Sequence, residues 1–90
     1  MEITVKGEKI ELNGKIGISY LGKNKITFGA KAETIELADD FVRFTEKTPH
    51  DVITHEINQL ESVTVYDKAV YVYGMNAING NKTRFILDRK

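Results

Sequence analysis

Polar and apolar residues alternate through the first third of the chain. The stretch "ITVKGEKIEL" (residues 3–12) predicts two short strands joined about Gly7-Glu8 by a type II′ turn. That register sets Val5 against Ile10 and Ile3 against Leu12 on one sheet face. A second turn signal, Asn13-Gly14, fits a three-residue loop that sets Leu12 against Ile16 and Ile10 against Ile18. The loop "LGKNK" (residues 21–25) returns the chain as "ITF", with Tyr20 facing Ile26.

The middle third changes period. Over 33–47, at 100° per residue, Ile35, Leu37, Ala38, Phe41, Val42 and Phe44 fall in one half-circle. The charged residues Glu33, Glu36, Asp39, Asp40, Arg43, Glu46 and Lys47 fall in the other, which predicts an amphipathic helix. A hairpin about Asp39-Asp40 is the competing reading. It pairs Leu37 with Val42 and Glu36 with Arg43 but turns Phe41 to water. A second helix is predicted over 49–61. Thr48 suits an N-cap, Pro49 the first helical position and Asp51 the first turn. Val52, Ile53, Ile57, Leu60 and Val63 share one side of it, and Glu56 alone among the charges falls among them.

The last third is strand again. "SVTVYDKAVYVYG" folds about Asp67-Lys68, pairing Val65 with Val70, Val63 with Val72 and Thr64 with Tyr71. "MNAINGNK" (residues 75–82) reads as loop and "TRFILDR" as a final strand, with Phe85 and Leu87 on the core side and Arg84, Ile86 and Asp88 opposite. The expected class is α+β: an antiparallel meander of about four strands, two consecutive helices packed on one sheet face, then about three antiparallel strands. If 33–47 is a hairpin, the alternative is a mostly β barrel or sandwich.

Ninety residues make one domain, 1–90. A chain this short buries roughly 60–65% of its unfolded surface, enough for one modest core. The absence of cysteine excludes disulfides, thiolate metal ligands and thiol nucleophiles. Small secreted domains without such staples are unusual, so a cytoplasmic location is expected. The first ten residues alternate and lack the pattern of a signal peptide. No apolar run reaches the roughly 20 residues that span a bilayer, so no membrane partner is expected.

Net charge is zero, but its layout is uneven. Residues 1–31 carry six lysines against three acids, +3. Residues 32–61 carry two bases against eight acids, −6, and residues 62–90 carry five bases against two acids, +3. Such a layout either scatters over a solvated surface or forms an acidic and a basic face that steer partners.

One stretch looks like chemistry. In "TPHDVITHEINQL", His55-Glu56 opens as a zinc-peptidase His-Glu-x-x-His helix does, where two His one turn apart hold the metal and the Glu activates water. The run "THEINQLESVTVYDK" resembles the corresponding segment of peptide deformylases over about 15 residues. Membership would imply a metal-dependent hydrolase. This sequence departs from the motif where it matters: Gln59 stands in place of the second His, and no Cys exists to complete the ligand set. No metal or other cofactor is therefore expected. No Gly-rich phosphate loop is present, and neither serine sits in a nucleophile-elbow context. The expectation is a protein that is not an enzyme.

Binding remains. A DNA-reading second helix is excluded by its lack of Lys and Arg from Pro49 to Glu61. The leading expectation is a protein–protein or assembly module. Its surface would be the acidic helix face (Glu36, Asp39, Asp40, with Arg43) or a Tyr-rich sheet face, with self-association included. Exposed sheet edges add a third route, strand addition. The alternative partner is single-stranded nucleic acid on a sheet of Tyr66, Tyr71, Tyr73 and Arg84, flanked by Lys68 and Lys82.

Overall fold

A computed structural model describes residues 1–22, 26–76 and 80–90, with the backbone but not the side chain of Ile26. Seven strands follow one another: β1 (Glu2–Val5), β2 (Glu8–Tyr20), β3 (Ile26–Leu37), β4 (Val42–Lys47), β5 (Val52–Val65), β6 (Ala69–Asn76) and β7 (Lys82–Arg89). Each pairs antiparallel with the next, and β2 also pairs with β7. Strands β2 to β7 therefore close into a six-stranded up-and-down barrel, with β1 added beside the start of β2. A meander closes this way only with an even strand count, because the first and last strands must run opposite to each other.

Alternation builds the barrel. Strand β6, "AVYVYGMN", turns Val70, Val72, Gly74 and Asn76 inward and Tyr71, Tyr73 and Met75 outward. Phe85 and Leu87 of β7, Ile16 and Ile18 of β2, Val42 and Phe44 of β4 and Ile57 of β5 complete the interior. Phe44 and Phe85 meet edge to face, ring centroids 5.1 Å apart. A six-stranded barrel is narrow enough that side chains fill it. Ile3, Val5, Ile10 and Leu12, from the β1–β2 hairpin, join the same core at one end.

The expected α+β fold is overturned: among the described residues there is no helix, and the barrel alternative is the fold. Residues 33–47 form the hairpin, pairing Leu37 with Val42, Glu36 with Arg43 and Ile35 with Phe44. The bond from Ala38 N–H to the Phe41 carbonyl, at 2.9 Å, closes its turn. The helical reading needed a full half-circle. At 100° per residue, Ile35 and Phe44 lie about 180° apart on the wheel, too wide for one apolar stripe. In the hairpin they sit side by side.

The second predicted helix, 49–61, lies mostly within strand β5. Register shifts at Ile57/Gln59 and Leu60/Ser62 each insert one extra residue. The inward residues Ile57, Leu60 and Val63 therefore recur every three positions rather than every two. Two bulges thus gave a strand the period of a helix. The supposed N-cap is real chemistry in another setting. Asp51 N–H donates to Thr48 Oγ1 at 3.0 Å and Thr48 N–H to the Asp51 carbonyl at 2.8 Å, which closes the β4–β5 turn.

Smaller expectations divide. The β5–β6 register is as the sequence predicted, Val65 with Val70, Val63 with Val72 and Thr64 with Tyr71, and Tyr20 does face Ile26. The first turn is instead Lys6-Gly7, with φ of 50° and 81°, and Ile3 faces Ile10. Two residues at positive φ suit a type I′ turn, which matches strand twist. Asn13-Gly14 is no loop: β2 runs through it and bends at Gly14, φ 90°. The loops expected at 21–25 and 75–82 lie partly outside the described residues; Met75, Asn76 and Lys82 belong to strands.

Candidate functional site

Outward-facing residues of β6, β7, β2 and β3 lie in register across the barrel wall. One row runs Tyr73, Arg84, Ser19, Thr27. The next runs Tyr71, Ile86, Gly17, Gly29. Beyond it Lys15 stands directly opposite Lys31. With neighbouring strands about 4.8 Å apart, the four strands span about 14 Å.

The glycines make this wall concave. Gly17 and Gly29 face each other, and a methyl group built on Gly29 would touch nothing within 4 Å. The result is a groove of about 550 Å³ floored by Gly17 and Gly29 and walled by Lys15, Lys31, Ile86, Asp88 and Glu46. Side chains border it on the Tyr side. The Arg84 guanidinium carbon lies 5.5 Å from the Tyr71 ring centroid, and Lys82 Nζ 5.6 Å from that of Tyr73. Tyr66 meets Tyr71 edge to face at 4.9 Å and is 53% exposed. Ser19 is buried and accepts a hydrogen bond from Thr27 Oγ1 at 3.3 Å.

The groove is lined by two lysines and two carboxylates, set apart by their partners. Lys15 and Lys31 oppose each other, and neither is in an ion pair with a described residue. Like charges directly opposed across a ladder cost about 0.2–1 kcal/mol. Arg84 Nε is buried and has no hydrogen-bond partner among the described residues. Asp88 accepts from the neutral amide of Asn13, Nδ2, at 2.6 Å and keeps its charge; Glu46 lies 3.1 Å from His55 Nε2, and Glu61 pairs with Lys82 at 3.5 Å.

Of the residues singled out from the sequence, Tyr71, Tyr73 and Arg84 share this wall, and Tyr66 packs against Tyr71 from the adjoining β5–β6 turn. The other group is elsewhere. Arg43 bridges Glu36, at 3.3 Å, and Glu56 on the outside of β3, β4 and β5. Asp39 and Asp40 occupy the β3–β4 turn. No acidic helix face exists for them to form. Its charges are spread over two strands and a turn, and Arg43 already compensates two nearby acids.

The His55-Glu56 pattern loses its geometry on a strand. Successive side chains point to opposite faces: Glu56 goes outward to Arg43, and His55 inward, stacked 4.6 Å from Phe44 and facing Glu46. A helix would have placed His55 and Gln59 one turn apart; a strand separates them by about 13 Å. Among the described residues no three His, Asp or Glu side chains gather as a metal site would require.

The glycine floor and its lysines were missed at the level of sequence. The signal was present as a mirrored alternation, Lys15-x-Gly17-x-Ser19 and Thr27-x-Gly29-x-Lys31, which only pairing of the two strands brings together. Comparison with protein-family models, with curated proteins and with solved structures finds no match to this chain.

Proposed function

We propose that this chain is a non-enzymatic binding module that holds single-stranded nucleic acid on the outer wall of β6, β7, β2 and β3. The observation that carries the reading is the directly opposed Lys15–Lys31 pair, in no ion pair with a described residue, on a glycine floor, beside the edge-to-face Tyr66 and Tyr71 rings and an Arg84 Nε without a hydrogen-bond partner among the described residues. A flat floor without side chains admits a sugar–phosphate backbone closely. Lys15, Lys31, Lys82 and Arg84 offer it cations, and Tyr73 and Tyr66 offer bases a ring face. Non-sequence-specific single-strand binders combine these parts, a basic track and aromatic platforms.

A protein partner on the same wall is the competing occupant, since Tyr and Arg are also favoured anchors of protein interfaces. The two directly opposed lysines favour the nucleic-acid reading. An unpaired cationic pair suits a polyanion, whereas a protein interface core is depleted of such charges.

The test is titration of fluorescently labelled oligo-dT and oligo-U, followed by anisotropy. Wild-type protein binds at low salt. Tyr73→Ala weakens binding by about 1–3 kcal/mol, the usual worth of one stacked base. Tyr73 is half-exposed on the outer face, so the variant folds. Wild type that leaves both oligomers free at low salt refutes the nucleic-acid reading and leaves the wall to a protein partner.

A further inference from the structure

Strand β5 outruns its neighbour. It pairs with β4 only from Val52 to Ile57, and the β3–β4 turn reaches it once more, where Leu60 N–H donates to the Asp40 carbonyl at 3.2 Å. From Ser62 to Val65, β5 pairs with β6 alone. In an antiparallel ladder alternate residues aim their N–H and C=O groups away from the partner. Those of this segment therefore form an open edge.

Beyond Glu61 that edge carries none of the usual protection. "ESVTV" (residues 61–65) contains no Pro and no Lys, and beyond Glu61 it is uncharged and rich in β-branched residues. Natural sheet edges left uncovered are normally blunted by such breakers and charges or by a bulge that twists them away. Here the bulges precede the edge, at Ile57/Gln59 and Leu60/Ser62, and leave Val63 to Val65 in regular pairing. Val65 and Tyr66, where the edge ends, are 36% and 53% exposed.

Beside the edge lies a groove of about 460 Å³. Val5, Leu37, Leu60 and Val63 give it an apolar lining, with Lys6 and Asp39 also on its walls. Its far wall is β1, which pairs with β2 on one side only. One residue of a strand fills about 160 Å³ of sheet, from a 3.3 Å rise, a 4.8 Å strand spacing and a 10 Å layer thickness. The groove thus matches about three residues of one extended chain. Thr4 and Val5 of β1 line its far side, so an incoming strand has to fit between β5 and β1, which suits a single extended segment.

The geometry points to a second binding site, independent of the nucleic-acid wall: an extended peptide segment of a partner protein adds as a strand beside Val63–Val65. Running antiparallel to β5, it takes up the open backbone groups. Every second side chain of the peptide enters the Val5–Leu37–Leu60–Val63 trough, so the preferred segment alternates apolar and polar residues. Main-chain bonds give affinity and the trough gives selectivity, as in other strand-addition sites.

The probe is a seven-residue peptide of alternating Val and Thr with a Lys at each end, added to the wild-type protein. The readout is amide hydrogen exchange by NMR. At saturating peptide, the outward amides between Glu61 and Val65 slow at least about tenfold, the size expected for a hydrogen bond worth about 1.4 kcal/mol. A control peptide with Pro at its centre gives no protection. Unchanged exchange with the Val-Thr peptide overturns the proposal, as does equal protection by both peptides. Self-association of peptide-free protein that protects the same amides overturns it in favour of a second copy.

Discussion

Replacing Lys15 and Lys31 together by Ala removes two of the cations that border the glycine groove and leaves Lys82 and Arg84. For a single strand, log Kobs falls against log salt with a slope of about −0.7 per phosphate neutralised, so one phosphate on each of these four cations gives about −2.8. Raising salt from about 50 mM to about 200 mM then weakens wild-type binding about 50-fold. In the double variant only Lys82 and Arg84 neutralise phosphates. Its slope is about −1.4, and the same change in salt weakens binding only about sevenfold. Fluorescence anisotropy of a labelled oligo-dT at several salt concentrations measures both slopes. Folding is not the confounder: removing a directly opposed like-charge pair relieves about 0.2–1 kcal/mol, so the thermal midpoint holds or rises. A double variant that binds with the wild-type slope would show that phosphates do not lie over Lys15 and Lys31, and the proposed track would be wrong.

Three further outcomes follow from the same geometry. Gly29→Val meets open space on the outer face and replaces Gly with a strand former, so denaturant midpoints stay level or rise while oligonucleotide affinity drops about tenfold; unchanged affinity would mean that the floor is not used. Gly74→Ala drives its methyl group into the Gln59 carbonyl and to 2.7 Å from Ile57 Cγ2, where β6 crosses the β5 bulge; it costs about 3 kcal/mol in urea unfolding, the upper end for overpacking, and a cost below about 1 kcal/mol would show that β5 and β6 separate there without penalty. Arg43→Ala removes two ion pairs on an outer face where the Arg43 side chain is 44% exposed, so the loss is at most about 1 kcal/mol in the same assay; a much larger loss would give the Glu36–Arg43–Glu56 cluster a structural role.

Local pattern carries a good deal of this fold. The β5–β6 hairpin is legible because Val63, Val65, Val70 and Val72 alternate strictly on either side of a short turn, and each residue's face depends only on its near neighbours. Tyr71, Tyr73 and Arg84 follow from the same alternation. Strand β5 is illegible for a physical reason. Its bulges shift the inward residues by one position twice, and a bulge arises from pairing with β6, which periodicity within one segment does not report. The β3–β4 hairpin loses to a helix in the sequence because the residues between Leu37 and Val42 fill out a helical half-circle.

By itself, the sequence determined a cysteine-free chain of one small domain, strands at both ends, and aromatic rings that share one outward face with Arg84. Only the tertiary structure decided the rest. Pairing of β2 with β7, across most of the chain, closes the barrel, and the two segments expected to be helices serve as its strands. Pairing of β2 with β3 lays Gly17 against Gly29 and Lys15 against Lys31, creating the groove and its charge. These are properties of register between strands, and they exist only once the backbone hydrogen bonds choose which residues stand opposite each other.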